Sequence, residues 1–333
     1  MDFFLSPIGQ YFWQTILHSC LIAITIEVII RSSRIRQPSF QIKLRSLSLW
    51  LPIVYLPTLY FAYPPRANAQ FRLQAALFDS NQWLGLRLWG DFALWHLAAA
   101  TVAVTVIFFL LRELVPIIQY WFLRMPALPV MTPGQFPGLD TSLARLVKVT
   151  GLPAPEVLIS TEAAPAVYTV GRRTLVLSRS AIQLLDADEL EAVIAHELAH
   201  FTRGASLMGL IYLALRFLMF YNPAALLVFH RINHDTERLC DDLAVSFTGK
   251  RLALVSGLLK ILQDTAPDQP AALTNKWWST FSANSLEDRA HLALAQERAA
   301  RILNSAPASA VPFQNRRVAV AAALLMVLLF FVV

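Results

Sequence analysis

The sequence predicts a multi-pass α-helical membrane protein with an α+β domain inserted between its third and fourth transmembrane helices. Three observations carry this expectation. Hydrophobic residues make up 56% of the 333, with a mean hydropathy of +0.51, whereas an ordinary soluble domain is nearer half apolar. The apolar stretches separate into four: residues 11–30, 46–63, 92–111 and 318–333. Between the third and fourth lies a long segment that alternates helix-like and strand-like patterns. The expected division is a membrane region over 1–124 with three transmembrane helices, a domain over 125–317, and a closing helix over 318–333.

The first three stretches are close to the roughly 20 residues that cross a hydrocarbon core, and the fourth, at 16, falls short. Residues 1–30 lack a basic start and a small-residue cleavage pattern, so they read as a span and not as a removable signal. Arg31, Arg34, Arg36, Lys43 and Arg45 crowd the first loop, which positive-inside counting assigns to the cytoplasm. The N-terminus then lies outside and residues 112–317 face the cytoplasm; Arg112, Arg124, Arg316 and Arg317 agree. The net charge of +6 reads as topology and contact with an anionic lipid bilayer. No nucleic-acid motif accompanies it, so direct nucleic-acid binding is not expected.

Inside the spans, Glu27 stands one turn before Arg31, which predicts a local ion pair. His18 and His96 are expected to hydrogen-bond between helices, and Pro52 with Pro57 to kink the second span. A proline-rich linker, Met125 to Pro137, opens the inserted domain. A short helix follows over 141–150, ended by Gly151 and Pro153, and then come strand-like runs at 157–160, 167–170 and 174–178. Residues 207–229 are long and apolar enough to span. Arg216 and Pro223 interrupt them, however, so they read as packed or membrane-dipping helices and not as one crossing. After Thr248-Gly249 a further helix is expected to about Gln263, then a polar loop with Trp277 and Trp278, then an amphipathic helix over 286–303.

The most informative stretch is His196-Glu197-Leu198-Ala199-His200, an H-E-x-x-H pentapeptide. Histidines four apart on a helix share one face and can grip one zinc ion, with the glutamate between them aimed at an attacking water. Leu190, Val193, Ile194, Leu198 and Phe201 supply helical apolar spacing. Asp186 with Glu189 resembles a capping box, and Gly204 stands past the expected end. A peptidase zinc site needs a third protein ligand and one open position. Downstream, Asn222-Pro223 marks a helix start, and His230, His234, Glu237 and Asp241 follow on one face. Glu237 is the preferred third ligand, although spacing alone does not separate it from His234. Asp241, one turn later, is placed to fix the tautomer of a ligating histidine. Cys20 lies in a span, and Cys240 faces away from Glu237 by helical phase; both read as reduced thiols.

Residues 237–241, Glu-Arg-Leu-Cys-Asp, carry a Glu-x-x-Cys-Asp element. With H-E-x-x-H, this resembles the BlaR/MecR-type antirepressor membrane metallopeptidases. Residues 164–171 followed by 174–178 look like that family's edge-strand region, Arg301-Ile302-Leu303 like its late Arg-Ile element, and Asn222-Pro223 is a shared mark. The likeness covers roughly residues 130–305. A more distant likeness is to the HtpX and CAAX-protease branch. The resemblance implies a gluzincin-type zinc metallopeptidase domain in a bacterial inner membrane. Its metal would be Zn2+ on His196, His200 and Glu237, with Glu197 the catalytic base and acid and Asp241 in support. His230, His234 and Arg289 are candidates for stabilising the oxyanion. The implied partner is a cytoplasmic protein substrate such as a transcriptional repressor; a homodimer is compatible with the sequence. The penicillin-binding sensor domain of the drug-sensing members is expected to be lacking, because no Ser-x-x-Lys motif stands with its companions. Three functions therefore stand beside one another: a regulatory protease, an HtpX-like quality-control protease, and a non-proteolytic transducer with a structural zinc. Glu197 argues against the last, since a structural site needs no base.

Overall fold

In the computed structural model, residues 7–115, 118, 135–160, 164–170, 173–202, 205–264, 285–304 and 314–333 are described. The expected linker, Gly204 and the Trp277–Trp278 loop lie outside them, wholly or nearly so. The chain divides into two units. The first comprises residues 1–114, 211–236 and 310–333, the second 115–210 and 237–309. Residues 211–236 thus cluster with the first unit and not with the flanking residues 125–210 and 237–309.

The first unit is built on long apolar helices. Helix α1 (Pro7–Ser32) and helix α2 (Pro38–Ala62) are followed by short helices α3 (Ala69–Gln74) and α4 (Ser80–Leu84) and a hairpin of β1 (Arg87–Trp89) with β2 (Phe92–Ala93). Helix α5 (Leu94–Phe109) then continues through a π-helical turn, Leu110–Leu114. The backbone N–H of Ala93 donates to His96 Nδ1 at 3.1 Å, so His96 caps α5 and does not bridge two helices as expected. Among the described residues, two helices are long and apolar enough to cross a membrane, Ile8–Ser32 and Leu94–Leu114. Ile24, Val28, Leu97, Val104 and Ile107 on these helices are more than half exposed, an outward apolar surface that water would penalise and lipid would not. The second expected span is the helix α2, which runs on through Pro52 and Pro57. The fourth is α13 (Gln314–Phe330). Ile22, Ile26 and Ile30 of α1, Leu44, Leu47 and Leu51 of α2, and Leu325 and Leu329 of α13 interlock as this unit's core.

Several polar side chains buried in this unit find partners, which offsets part of the cost of a low-dielectric interior. His18 Nε2 meets the Val332 carbonyl at 2.9 Å, a tertiary bond to the chain just past α13 where a bond between helices was expected. Glu27 does not pair with Arg31. Its carboxylate takes Arg45 and Arg231, each at 2.7 Å, and Arg45 also binds the buried Asp235. A helix-surface pair at this spacing is worth only a few tenths of a kcal/mol, so guanidinium groups brought in by other helices displace it. Arg216, with no exposed surface, donates to Glu113 Oε1 at 2.9 Å and lies over the Phe109 ring. It ends α9 (Ala205–Leu218), which breaks before α10 (Pro223–Thr248), so residues 207–229 are two helices and not a single crossing. At that break Asn222 Oδ1 accepts from the N–H groups of Ala224 and Ala225 at 3.0 and 3.3 Å, and Pro223 sits at the first helical position.

The second unit is α+β. Helix α6 (Pro137–Thr150) ends where Gly151 turns left-handed at φ 67°, which glycine adopts without a Cβ clash. A three-stranded sheet follows in the order β3 (Glu156–Ser160), β5 (Thr174–Ser178), β4 (Val167–Val170). β3 runs parallel to β5 and β4 antiparallel to it. These are the three strand-like runs of the sequence. Helix α7 (Arg179–Leu184) leads into α8 (Ala187–Thr202), which carries the H-E-x-x-H pentapeptide. Helices α11 (Arg251–Asp264) and α12 (Ser285–Asn304) complete the unit. Its core joins Leu143 and Leu146, Leu175 and Leu177, Ile194 and Leu198, Leu254, and Ile302.

Candidate metal centre

Helix α8 is anchored at both its start and its flank. Asp186 Oδ1 accepts from the N–H groups of Asp188 and Glu189 at 2.9 and 2.8 Å, and Glu189 Oε2 accepts from the Asp186 N–H at 3.0 Å, completing a capping box. The Glu189 carboxylate is also held by Ser256 and Lys260 of α11, at 2.5 and 2.7 Å. Leu190, Val193, Ile194 and Leu198 are buried, and Phe201 packs partly buried against the same core. This apolar face seats the helix, and His196 and His200, one turn apart, project together from the adjoining stripe.

The two imidazoles point their Nε2 atoms at one carboxylate on α10. His196 Nε2 lies 3.4 Å from Glu237 Oε2, and His200 Nε2 lies 3.7 Å from Glu237 Oε1. Among the described residues, the donor atoms that gather within 4.8 Å of one another are those of His196, His200 and Glu237; His234 is not one of them. A tetrahedral zinc with bonds near 2.0–2.1 Å separates its donors by about 3.3 Å, so this set is close to the geometry the ion requires. Two imidazoles and a carboxylate also suit zinc chemically. Glu197, half-buried, directly follows His196 in the same helical turn.

Each outer nitrogen has a polar neighbour on α10. His196 Nδ1 stands 3.0 Å from Asp241 Oδ1, the contact expected from the sequence. His200 Nδ1 stands 3.5 Å from Cys240 Sγ. The sequence reading missed this second contact: a helical phase that carries Cys240 away from Glu237 still leaves it facing His200. Asp241 is fully buried and takes a forked pair of bonds from Arg298 of α12. Arg301, from the same helix, binds Asp242 at 2.9 Å. No local pattern flagged Arg298, because its partner lies 57 residues earlier. The side chain of Arg289 is outside the described residues.

Charge in the cluster is tightly coupled. Burial acts to depress the His196 imidazole, but the carboxylates of Asp241 and Glu237 outweigh it and raise its pKa to about 9. Burial acts to raise Glu237, yet His196, His200 and Arg298 hold it well below the usual carboxylate range. Asp241, likewise opposed by burial, is drawn down to about 2 by Arg298 and His196. Two ionised carboxylates facing two imidazoles in a mostly buried cluster form an arrangement built for a cation.

Comparison with known proteins bears on the kind of protein that carries this site. Residues 140–292 match the family model described as BlaR1 peptidase M56. The match spans the sheet, α8 and α10, and it does not single out the antirepressor type. The curated relatives include a protease HtpX homolog of Salinibacter ruber, 27% identical over 175 residues, which are 42% of this chain and 63% of that protein. Another protease HtpX homolog, from Pyrococcus abyssi, is 26% identical over 198 residues, 47% of this chain and 68% of its own length. A third, from Pelotomaculum thermopropionicum, reaches 37% identity over 79 residues, 22% of this chain and 28% of its own. The chain therefore spans less than two thirds of the Salinibacter ruber relative. Family match and relatives together support a protease with a metallopeptidase site.

Proposed function

We propose that this protein is a membrane zinc endopeptidase whose general base is Glu197. The observation that carries this reading is the convergence of His196, His200 and Glu237 beside Glu197. Zinc bound there would supply Lewis acidity for the scissile carbonyl and the attacking water. Glu197 accepts the water's proton on a carboxylate oxygen and returns it to the leaving amine, base first and acid second. His196 and His200 present their Nε2 lone pairs inward, with Asp241 and Cys240 steadying the outer nitrogens. Glu237 contributes the third donor and the negative charge. A purely structural zinc would leave Glu197 without a task, which disfavours the non-proteolytic transducer.

The two membrane-length helices and their outward apolar residues support action at a bilayer. Arg31, Arg34 and Arg36, at the turn between α1 and α2, argue for a site on the cytoplasmic side. The substrate on this reading is a protein reached from the cytoplasm. The relatives, each named protease HtpX homolog, favour the HtpX-like alternative over the antirepressor reading.

The test uses the full chain, purified in detergent and loaded with zinc. Glu197→Gln is expected to keep its zinc and to lose at least about a hundredfold in peptide cleavage, the lower end of what a general base contributes. Retained turnover would overturn the assignment. The same variant expressed in cells traps substrate: a spread of proteins supports broad use, and one dominant captured protein supports a regulatory role.

A further inference from the structure

We infer that Arg298 is a positioning residue of the zinc site, a buried fork that holds Asp241 and Glu237 in their working orientations. The inference rests on the zinc reading above and extends it to a helix that neither ligand motif contains. Arg298 also lies beyond residues 140–292, which carry the family match.

Arg298 Nη2 donates to Asp241 Oδ1 at 2.7 Å and Nε to Asp241 Oδ2 at 3.1 Å, a two-point grip on a fully buried carboxylate. Nη1 stands 3.5 Å from Glu237 Oε2, the oxygen that also faces His196. One planar cation thus spans the carboxylate that orients His196 and the one that binds the metal. The guanidinium side chain is only 19% exposed, and both carboxylates sit one turn apart on α10. A lysine would supply the charge without the fork, because its ammonium is a point charge and cannot match two oxygens in one plane. Arg301 ties the same helix to Asp242, so α12 is fixed against α10 at a second point and Arg298 is delivered at a defined depth.

Charge and orientation predict opposite signs, which makes the role testable. Removing a positive charge from beside a cation site should tighten zinc binding if Arg298 acts only through its field. Releasing Asp241 and Glu237 from their grip should weaken it if Arg298 acts by position. For an outer partner of a ligand the expected loss is about 10- to 100-fold in metal affinity.

The experiment compares the detergent-purified full chain with Arg298→Gln and Arg298→Lys, measuring zinc affinity by competition with a chromophoric chelator and melting temperature in the metal-free state. The expected result is weaker zinc binding in both variants, with lysine failing to restore it. Unchanged or tighter binding in Arg298→Gln, or full rescue by Arg298→Lys, overturns the inference while leaving the peptidase reading intact. A metal-free Arg298→Gln protein that melts far lower, with zinc affinity per folded molecule unchanged, also overturns it by assigning Arg298 to folding alone. Failure of the unaltered protein to bind zinc would overturn both readings together.

Discussion

His196 Nδ1 lies 3.0 Å from Asp241 Oδ1 while the Nε2 of the same ring lies 3.4 Å from Glu237 Oε2. A single stretch of α10, one turn long, therefore supplies both the ligand that shares the ion with His196 and the carboxylate that aims its ring. A carboxylate at 3.0 Å favours the proton on Nδ1, so that once the second proton leaves, the Nε2 lone pair is free for the metal. Asp241→Asn is expected to lower zinc affinity by about 10- to 100-fold without removing a ligand. Chelator competition on the purified protein measures it, and wild-type affinity in the variant would remove Asp241 from the support of the site.

The pH response of the metal-free protein follows from the raised imidazole. His196 moves from an ordinary 6.5 to about 9 in the folded chain, since Asp241 and Glu237 outweigh the burial that opposes its charge. A folded value above the unfolded one contributes stability that is complete below 6.5 and is lost as pH rises through about 9. The loss is at most about 3 kcal/mol. Zinc competes with that proton, so zinc affinity should rise with pH across the same interval, with proton release on binding. The check is a pair of melting series, with and without zinc. The metal-free melting temperature should fall between pH 6.5 and 9 and the zinc-loaded one should fall less; two parallel series would refute the coupling.

Local patterns fixed the parts of this site that depend on one helix. The capping box at Asp186, the pairing of His196 with His200, and the Asn222-Pro223 start are all short-range relations, and each forms as its spacing implies. The strands were legible because apolar, largely β-branched runs are bounded there by Gly and Pro. What spacing could not settle was which polar residue of α10 reaches α8. His234 and Glu237 share a face, and only packing of the two helices brings Glu237 within reach. Arg298 and the Cys240 contact were invisible for the same reason, being set by tertiary approach. Glu27 shows the converse: its local partner Arg31 was legible and lost to Arg45 and Arg231, which sit on other helices. Hydropathy marked Arg216 as an interruption but gave no hint that Glu113 would answer it.

The Arg216–Glu113 pair should be costly to break and cheap to replace. Arg216 has no exposed surface, and its guanidinium lies 5.0 Å from the Phe109 ring centre as well as 2.9 Å from the carboxylate. Glu113→Leu alone strands a buried cation, a loss of about 3–5 kcal/mol. Replacing both members with apolar residues of similar size, Arg216→Met with Glu113→Leu, removes the desolvation cost together with the attraction and should recover most of that loss. Thermal unfolding in detergent across the four proteins of this cycle gives the coupling. If the double variant is as unstable as the sum of the two single ones, the pair is not the unit of stability.

Gly257 sets how closely α11 approaches the metal-bearing helix. A Cβ there would stand 2.9 Å from Val193 Cγ2 and 3.4 Å from the Glu189 carbonyl oxygen, nearer than the side chain can tolerate without movement. Val193 is buried in the core and not free to swing away. Gly257→Ala therefore sets an overpacking cost of about 1–3 kcal/mol against the roughly 1 kcal/mol by which alanine favours a helix interior over glycine. The expected net effect is a modest destabilisation. Removing the obstructing methyl groups with Val193→Ala costs stability by itself, but in that background the overpacking term disappears and Gly257→Ala should become neutral or stabilising. Melting temperatures of the two singles and the double decide the point: a Gly257→Ala variant more stable than the parent would show that the two helices have room between them.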